Sequence, residues 1–384
     1  MRKYFGTDGI RRIANTELTP ELVYKVAKAG AYVLSKHTDH APTIFIGRDT
    51  RISGTLIESA MTAGFLSYGA NVKMLGVMPT PAVAYLTKKF KADASVVISA
   101  SHNTFEFNGV KYFSNKGMKI PDELEEEIEE VMDSGKINEL TAVNDKIGTS
   151  EIATELLDEY VYFFRKNFEE DLERLNRDDF VVAVDTANGA TSVVADKVFT
   201  VLGIKHHILN DSPNGININD GCGSTHLEML KQYVIDKKCS LGIAYDGDGD
   251  RCLAVDENGN EIDGDKIIAI ISQYLKSKGK LNKDTIVATV MSNLGLNKYA
   301  KQNELNFVQT KVGDRYVLEE MLKNGYNLGG EQSGHVICLD YNPTGDGILT
   351  SLMIIRAILE QGKKASEVAS IMKAYPQVLI NAKV

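Results

Sequence analysis

Three aspartates at alternate positions of a glycine-rich turn are the residues best suited to chemistry in this sequence. Asp246, Asp248 and Asp250 are separated by single glycines and are followed directly by Arg251. Because glycine lets the backbone fold tightly, the three carboxylates can converge on one point. Carboxylate oxygens are preferred ligands of hard cations such as Mg²⁺ and Ca²⁺. The turn therefore predicts a cation site with a guanidinium beside it, an arrangement that suits phosphate chemistry.

A calcium loop between two helices is the main alternative for this turn. Such a loop also begins with Asp at its first, third and fifth positions, and Glu257 falls at the twelfth. However, it requires glycine at the sixth position, where this chain has Arg251. The flanking segments, residues 241–245 and 252–255, are short and apolar, which is typical of strands. The sequence therefore favours a metal site between two strands.

A second polar turn follows the apolar segment 95–98 and contains Ser101. Reactive groups in α/β proteins lie at strand ends, although a serine in such a turn is more often a capping or turn residue. Glycine-bearing turns elsewhere in the chain supply two cations, Arg11 and Lys111. Together with the aspartates, these residues make Ser101 a candidate phosphate carrier.

Five segments of the chain resemble the α-D-phosphohexomutase superfamily, and within it most closely the bacterial phosphoglucosamine mutases. One such segment could arise by chance, but all five in order form a specific pattern. The segments are residues 4–11, 99–103, 246–251, 312–317 and 330–335, in a match that runs from Met1 to about Lys383.

The resemblance implies an enzyme that interconverts glucosamine 6-phosphate and glucosamine 1-phosphate, for UDP-N-acetylglucosamine and cell-wall synthesis. The reaction passes through glucosamine 1,6-bisphosphate, which reorients between two phosphoryl transfers with a phosphoserine. The roles implied by the resemblance are phosphoserine for Ser101, Mg²⁺ binding for Asp246, Asp248, Asp250 and phospho-Ser101, catalysis for Arg11, Lys111 and Arg251, and sugar binding for Glu331, Ser333 and His335.

Two alternatives stay open beside this activity. A phosphomannomutase/phosphoglucomutase is the first, although those enzymes tend to carry Met in place of Gln332. The second is a non-catalytic role, because some bacterial phosphoglucosamine mutases bind and inhibit a membrane-bound diadenylate cyclase. The resemblance is also compatible with a homodimer.

Several positions depart from the family pattern. Arg12, Thr104 and Phe107 stand where the family usually has Gly, Pro and an acidic residue. None of these changes removes a catalytic group. The loop that holds the non-reacting phosphate in a final domain has no counterpart, and residues 378–384 resemble the first strand of such a domain after a hinge at residues 375–376. We therefore expect a shortened chain with low activity.

An apolar strand, a glycine-bearing turn and an amphipathic helix recur from residues 43, 180 and 285. Alternation of this kind predicts an α/β protein with three consecutive related domains, whose mixed sheets are covered by helices. The active site is expected in the central cleft between them. The predicted boundaries are 1–150, 151–254 and 255–370, with 371–384 as the hinge and the first strand of a fourth domain.

Composition indicates a cytoplasmic enzyme. The chain has 384 residues, of which 43% are hydrophobic, enough for two or three domains, and no run of about 18 apolar residues. Scattered cysteines and the absence of a signal peptide fit a reducing compartment. A net charge of −9 argues against a nucleic-acid-binding protein. The acidic segment 122–130 is interpreted as the solvated face of a helix.

Overall fold

The structure is a computed structural model that describes residues 3–6, 8–36, 38–175 and 177–378. Three sheets of six, five and four strands follow one another along the chain. None of the described helices combines the length and the apolar character needed to span a bilayer.

Four neighbouring strands of the first sheet are parallel, and toward one edge a reversed strand pairs antiparallel with a neighbour on each side. Its strands are β1 (Ile10–Ile13), β2 (Thr43–Arg48), β3 (Asn71–Val77), β4 (Ala94–Ile98), β5 (Phe107–Ser114) and β6 (Ser150–Ile152). They are ordered β1-β5-β4-β2-β3-β6. The accompanying helices are α1 (Pro20–Leu34), α2 (Gly54–Tyr68), α3 (Thr80–Phe90) and α4 (Asp122–Asp133).

The second sheet repeats this plan in the order β11-β10-β9-β7-β8. Its elements are α5 (Leu157–Glu173), β7 (Val181–Asp185), α6 (Ala195–Val201), β8 (Lys205–Leu209), α7 (Glu228–Lys237), β9 (Leu241–Tyr245), β10 (Cys252–Asp256) and β11 (Glu261–Ile262).

The third sheet is ordered β13-β12-β14-β15. Its elements are α8 (Gly264–Ser277), β12 (Thr285–Thr289), α9 (Leu294–Gln302), β13 (Asn306–Thr310), α10 (Asp314–Asn324), β14 (Leu328–Gly330), β15 (Val336–Cys338), α11 (Gly347–Gln361) and α12 (Ala365–Ala369).

The three sheets share one connectivity. The strands β2, β7 and β12 each have a parallel neighbour on both sides, and they begin the three units recognised in the sequence. One of those neighbours, β4, β9 or β14, then turns back into an antiparallel strand, β5, β10 or β15. The predicted class, three related α/β domains with mixed sheets, is confirmed.

The three sheets are joined by a continuous apolar core. The cluster extends from Phe45 of β2 to Met372 beyond α12, and it includes the aromatic face of α5. This helix packs against α3 of the first domain and α11 of the third. Helices on both faces explain why strands such as β4 are buried along their whole length and carry mostly apolar side chains. The four cysteines are free and buried, as expected for small core residues.

The structure differs from the sequence analysis at one predicted boundary. β11 pairs antiparallel with β10, so the second sheet extends to Ile262, beyond the boundary placed at residue 254. A boundary after Ile262 fits this pairing better. The other boundaries stay predictions, and so does the strand expected near the chain end, because residues 379–384 lie outside the described residues.

The interpretation of the acidic segment is wrong in part. The segment forms α4, but Glu125 and Glu129 are only 3% and 8% exposed. The Glu129 carboxylate accepts hydrogen bonds from three backbone N–H groups, those of Lys3, Tyr4 and Phe5, each at 2.7 Å. Buried carboxylates are tolerated when they receive such donors. α4 therefore anchors the beginning of the chain rather than presenting only a solvated face.

Candidate active site

The three hairpin loops at equivalent places in the three sheets contain most of the candidate residues. The loop after β4 contains Ser101, the loop after β9 contains the three aspartates, and the loop after β14 contains Glu331, Ser333 and His335. Ser101 Oγ donates a hydrogen bond of 2.6 Å to Asp246 Oδ2. The candidate phosphate carrier therefore lies directly against the candidate metal loop, although 145 residues separate them in the chain.

The carboxylates of Asp246, Asp248 and Asp250 form a buried cluster. Each contributes an oxygen, and these oxygens lie within 4.8 Å of one another. Asp248 Oδ1 and Asp250 Oδ1 have no hydrogen-bond partner in the part of the chain that the structure describes. Burial raises the pKa of Asp246, and the charges of Asp250 and Asp248 raise it further. A divalent cation would relieve this repulsion, so the donor set fits a metal of the Mg²⁺ type.

A ring of alternating basic and acidic side chains surrounds this cluster and connects all three domains. Lys111 and Lys119 lie on the first domain, Asp250 on the second, and Asp314 and His335 on the third. The contacts around the ring are Lys111–Asp8 at 3.2 Å, Asp8–Lys119, Lys119–Asp314 at 2.6 Å, Asp314–His335 at 3.5 Å, His335–Asp250 at 3.5 Å and Asp250–Lys111 at 3.8 Å.

The carboxylates of this ring raise the pKa values of its basic members. Burial lowers the pKa of Lys111, but the carboxylates of Asp248 and Asp8 outweigh it and raise the pKa above its usual value. Lys111 Nζ also donates to Asp248 Oδ2 at 3.0 Å. Similarly, burial lowers the pKa of His335, whereas the carboxylates of Asp250 and Asp314 raise it by more. The neighbouring carboxylates therefore favour the charged form of both side chains.

Arg11 lies at the same end of the first sheet. Its guanidinium donates to Asp8 Oδ2 at 2.8 Å and to Asn103 Oδ1 at 3.0 Å. It thus connects the first loop of the chain with the Ser101 loop. Next to Ser101, burial and the charges of Arg251 and Arg11 lower the pKa of His102 to about 4. His102 Nδ1 lies 3.3 Å from Ser101 Oγ, so a neutral imidazole faces the hydroxyl.

The third loop presents its polar groups next to Arg251. Glu331 Oε1 accepts a hydrogen bond from the backbone N–H of Gly313. Burial lowers the pKa of Arg251, but the carboxylates of Asp246, Asp250 and Glu331 raise it by more. Ser333 Oγ and Arg251 Nε are buried without a hydrogen-bond partner among the described residues. Unpaired buried polar atoms of this kind are expected where a polar ligand binds.

His335, which the resemblance assigns to sugar binding, has its two ring nitrogens next to two carboxylates. It is 3% exposed and lies between Asp250 and Asp314. Its contacts therefore favour a role in holding together the ring of charged side chains.

The three departures from the family pattern lie outside this cluster or contribute only backbone. Arg12 donates to the carbonyl of Lys3 at 3.0 Å and lies over the ring of Tyr4. Thr104 and Phe107 offer their carbonyl oxygens to Arg51, an interaction that does not depend on side-chain type. The altered side chains are thus compatible with the observed geometry.

Several residues of the site were given no role in the sequence analysis, although Asp314 lies in the segment 312–317. Thr80 Oγ1 donates to Asp248 Oδ2 at 2.7 Å from the start of α3, and Lys119 and Asp314 complete the charged ring. Each partner is far away in the chain, 168 residues for Thr80 and 195 for Lys119 with Asp314. Local spacing gives no indication of such pairs.

Three segments that cover most of the chain match one family. Residues 2–139, 158–259 and 263–375 match the α/β/α domains I, II and III of phosphoglucomutase/phosphomannomutase. The chain belongs to the phosphoglucomutase/phosphomannomutase family. The resemblance seen in the five sequence segments is thereby confirmed.

Named relatives within this family are similar over the whole chain. The chain is 53% identical over 384 residues to the phosphoglucosamine mutase of Acetivibrio thermocellus and 52% identical to that of Clostridium perfringens, covering 100% of this chain and 84% of each relative.

Solved structures show the same fold. A putative phosphomannomutase from Thermus thermophilus has a TM-score of 0.83 at 23% identity, over 95% of this chain and 82% of that one. An N-acetylphosphoglucosamine mutase from Aspergillus fumigatus, in complex with GlcNAc-6P and magnesium, has a TM-score of 0.63 at 16% identity, over 98% of this chain and 81% of that one.

Proposed function

We propose that this family member is a phosphoglucosamine mutase that interconverts glucosamine 6-phosphate and glucosamine 1-phosphate through a phosphoserine at position 101. The observation that carries the proposal is the 2.6 Å hydrogen bond between Ser101 Oγ and Asp246 Oδ2 in a buried cluster of three aspartates. Identity of 53% over the full chain to a protein named phosphoglucosamine mutase supports the choice of substrate.

In the proposed first step, phospho-Ser101 transfers its phosphoryl group to a hydroxyl of the bound sugar phosphate. The bond between phosphorus and Ser101 Oγ breaks while a bond to the sugar oxygen forms, and the loss of the proton from the sugar hydroxyl is balanced by protonation of the released Ser101 Oγ. The product is glucosamine 1,6-bisphosphate. After this molecule reorients, Ser101 Oγ takes the other phosphate back, and the second monophosphate is released.

The charged residues stabilise this transfer more than they perform covalent chemistry. Asp246, Asp248 and Asp250 would hold Mg²⁺ together with phospho-Ser101, and the cation would offset charge on the transferring group. Lys111 stays protonated because of its carboxylate neighbours, so its proposed role is charge stabilisation rather than proton acceptance. Arg251, which is largely buried beside the aspartates, is placed to contribute in the same way.

Proton handling at Ser101 falls to its immediate neighbours. Asp246 Oδ2 accepts the hydrogen bond of the Ser101 hydroxyl and is placed to take its proton when Ser101 attacks the bisphosphate. A serine hydroxyl is a weak nucleophile without such a neighbour. Arg11, which contacts Asp8 and Asn103, would stabilise charge near the sugar hydroxyl.

Substrate choice is assigned to the loop with Glu331 and Ser333. The unpaired Ser333 Oγ and the carboxylate of Glu331 are available to bind the sugar hydroxyls and the amino group. A buried group left unpaired by the wrong sugar makes discrimination effective, by at least about 10²-fold where the site is built for that substituent. His335 is proposed to position this loop through Asp250 and Asp314.

The experiment that tests the proposal compares kcat/KM for glucosamine 6-phosphate, mannose 6-phosphate and glucose 6-phosphate, with Mg²⁺ and a catalytic amount of each bisphosphate. We expect glucosamine 6-phosphate to be preferred, and Ser333→Ala to raise its KM. The Ser101→Ala variant is the control for residual activity. Equal or higher kcat/KM for the mannose or glucose phosphate would instead establish the phosphomannomutase/phosphoglucomutase alternative.

Other expectations from the sequence stay predictions. These are a cytoplasmic location, a homodimer, binding to a diadenylate cyclase, and low activity of this chain. A pull-down with the purified cyclase domain would test the non-catalytic hypothesis, and the Ser101→Ala variant separates that binding from turnover.

A further inference from the structure

The backbone at Ser101 adopts a conformation that serine rarely takes. Its φ is +50°, in the left-handed region that costs about 1–2 kcal/mol for residues other than glycine. Ser101 is also only 2% exposed. Such a conformation persists only where the surroundings determine it. The question is therefore which residues hold the loop that carries the candidate phosphoserine.

Arg51 is the first of these residues. Its guanidinium is fully buried, and Asp49 Oδ2 accepts from its Nε at 2.8 Å. All five N–H donors of the guanidinium have an acceptor, because the other four point at carbonyl oxygens of the loop. Nη2 donates to the carbonyls of Ser101 at 2.9 Å and Asn103 at 2.8 Å, and Nη1 donates to those of Phe107 at 3.0 Å and Thr104.

Asn219 of the second domain contacts the same loop from the opposite side. Its Nδ2 donates to the carbonyls of Ser101 and Asn103, both at 2.9 Å, and the residue is 3% exposed. Two carbonyl oxygens thus receive donors from both domains at once. Gly247 of the aspartate turn packs onto this contact, since a Cβ there would lie 2.6 Å from the Ser101 carbonyl oxygen and 2.8 Å from Asn219 Nδ2.

We propose that Arg51 and Asn219 are positioning residues that hold Ser101 Oγ in line with the aspartate turn. Arg51 fixes the loop within the first domain, and Asn219 fixes that loop to the second domain, which carries Asp246. Neither side chain touches Ser101 Oγ, so both act through the backbone. This inference rests on the proposed function, because it assigns the two residues to the phosphoryl transfer at Ser101.

Asn219→Gly is the most informative variant. Asn219 has φ of +58°, a conformation that glycine adopts without strain, so the change removes the amide and leaves the backbone free to keep its shape. Asn219→Asp is the second variant, because it keeps the size of the side chain but turns an oxygen toward two carbonyl oxygens. Asn217→Ala is the matched control, since the hydrogen bonds of its side chain to described residues are with Ser212 and Asn214 of its own loop.

We expect Asn219→Gly to lower kcat by about 10²-fold, as misplacement of a reacting group by about 1 Å does, with KM little changed. Asn219→Asp should lower it by more, and Asn217→Ala should not. The rate at which the bisphosphate phosphorylates Ser101, measured as a gain in intact mass, should fall by the same factor as kcat. A role in folding alone would lower the melting temperature without this split between kcat and KM.

Arg51 is tested by Arg51→Lys, which keeps the charge but lacks the planar fork. Low kcat in this variant, with phosphorylation slowed in parallel, is expected, because one ammonium group does not reach four carbonyls. The inference is overturned if both Asn219 variants phosphorylate Ser101 at the wild-type rate, or if their loss lies wholly in KM. Failure of wild-type protein to become phosphorylated at Ser101 would instead overturn the proposed function.

Discussion

The junction between the first and second domains differs from the junction between the first and third in how deeply its polar contacts are buried. At the former, buried hydrogen bonds of fixed direction join Ser101 to Asp246, Thr80 to Asp248, and Asn219 to the Ser101 loop. Each of these side chains is at most 4% exposed. Short hydrogen bonds in the interior have strict geometry, so this junction allows little relative movement.

At the junction between the first and third domains, ion pairs accompany the hydrogen bond that Asn342 Nδ2 donates to the carbonyl of Pro81. Lys119 contacts Asp314 at 2.6 Å, and Arg315 contacts Asp122 and Glu125 of α4. Lys119 and Asp314 keep 13% and 17% of their side-chain surface exposed, and a cavity of about 140 Å³ lies beside them. Ion pairs depend less strictly on direction than hydrogen bonds do and are screened where water reaches them.

The comparison suggests a division of work in the proposed reaction. The phosphoryl group is transferred at the junction with fixed geometry, where small displacements have a large effect on rate. The loop with Glu331 and Ser333, which is proposed to bind the sugar, belongs to the third domain. The ion pairs between that domain and the first allow small changes in their relative position. An intermediate that must reorient between two transfers needs both properties. Variants at each junction should therefore change different kinetic constants.

The largest effect is expected at Asp248, which belongs to both the cluster and the first junction. Asp248→Asn removes a carboxylate that contacts Thr80 and Lys111 and faces the proposed cation. We expect kcat to fall by about 10³-fold and Mg²⁺ to bind more weakly, because the negative charge that offsets the cation is lost. Steady-state kinetics and magnesium titration measure the two effects.

Asp236→Asn on α7 is the control for a carboxylate removed from the same domain, since Asp236 is exposed and away from the cluster. A near-normal rate for Asp248→Asn, with unchanged magnesium dependence, would show that the cluster does not take part in the reaction.

A smaller effect, of a different type, is expected at the second junction. Lys119→Met removes the contacts with Asp8 and Asp314. Coupling energies of about 1–2 kcal/mol correspond to a loss on the order of 10-fold, which should appear mainly as a higher KM. Added salt should raise the KM of the wild-type protein more than the KM of the variant, since the variant lacks the ion pairs that salt screens. Kinetics at several ionic strengths measure this.

The nearby Lys116 is exposed, so Lys116→Met serves as the matched control. If Lys119→Met lowered kcat and left KM unchanged, the two junctions would not differ in the manner described.

A separate effect, on stability rather than on rate, is expected at the start of α11, where the second and third domains meet. Burial raises the pKa of Asp346 to about 6 from its ordinary value of 3.8. Below pH 3.8 the carboxyl is protonated in both states. Between pH 4 and pH 6 only the unfolded chain loses the proton, so the contribution of Asp346 to the free energy of unfolding falls, by about 2–3 kcal/mol in total.

Asp346 Oδ1 accepts a hydrogen bond of 2.9 Å from the backbone N–H of Leu349. The variant Asp346→Asn keeps a side-chain oxygen for this bond but has no carboxyl group to titrate. The difference in free energy of unfolding, Asp346→Asn minus wild type, should therefore rise between pH 4 and pH 6.5 and then level off. Urea unfolding across this range measures it. A difference that is flat with pH would mean that Asp346 titrates normally in the folded protein.

The sequence was sufficient to predict those parts of the site that depend on local spacing. Ser101 and the three aspartates each follow an apolar strand, and the strands β4, β9 and β10 lie where the sequence placed them. The three repeated units predicted the mixed sheets, because each unit starts on a strand with two parallel neighbours. Local periodicity determines such elements directly.

Residues that act over long separations could not be predicted in this way. Asn219 and Arg51 reach the Ser101 loop over 118 and 50 residues. In the same way, the prediction that Glu129 is solvated was wrong because its partners lie 124 to 126 residues away, at residues 3–5. A buried polar group is defined by partners from other elements, and a single sequence does not indicate which elements meet.

The central claim, that Ser101 carries the transferred phosphate, is tested most directly by mapping phosphate on the protein. Wild-type protein, Ser99→Ala and Ser101→Ala would be incubated with glucosamine 1,6-bisphosphate and Mg²⁺ and analysed by intact mass and peptide sequencing. We expect a gain of one phosphate, about 80 Da, on Ser101 in the first two and none in Ser101→Ala. Phosphate on Ser99, on another residue, or on none in the wild-type protein would contradict the account.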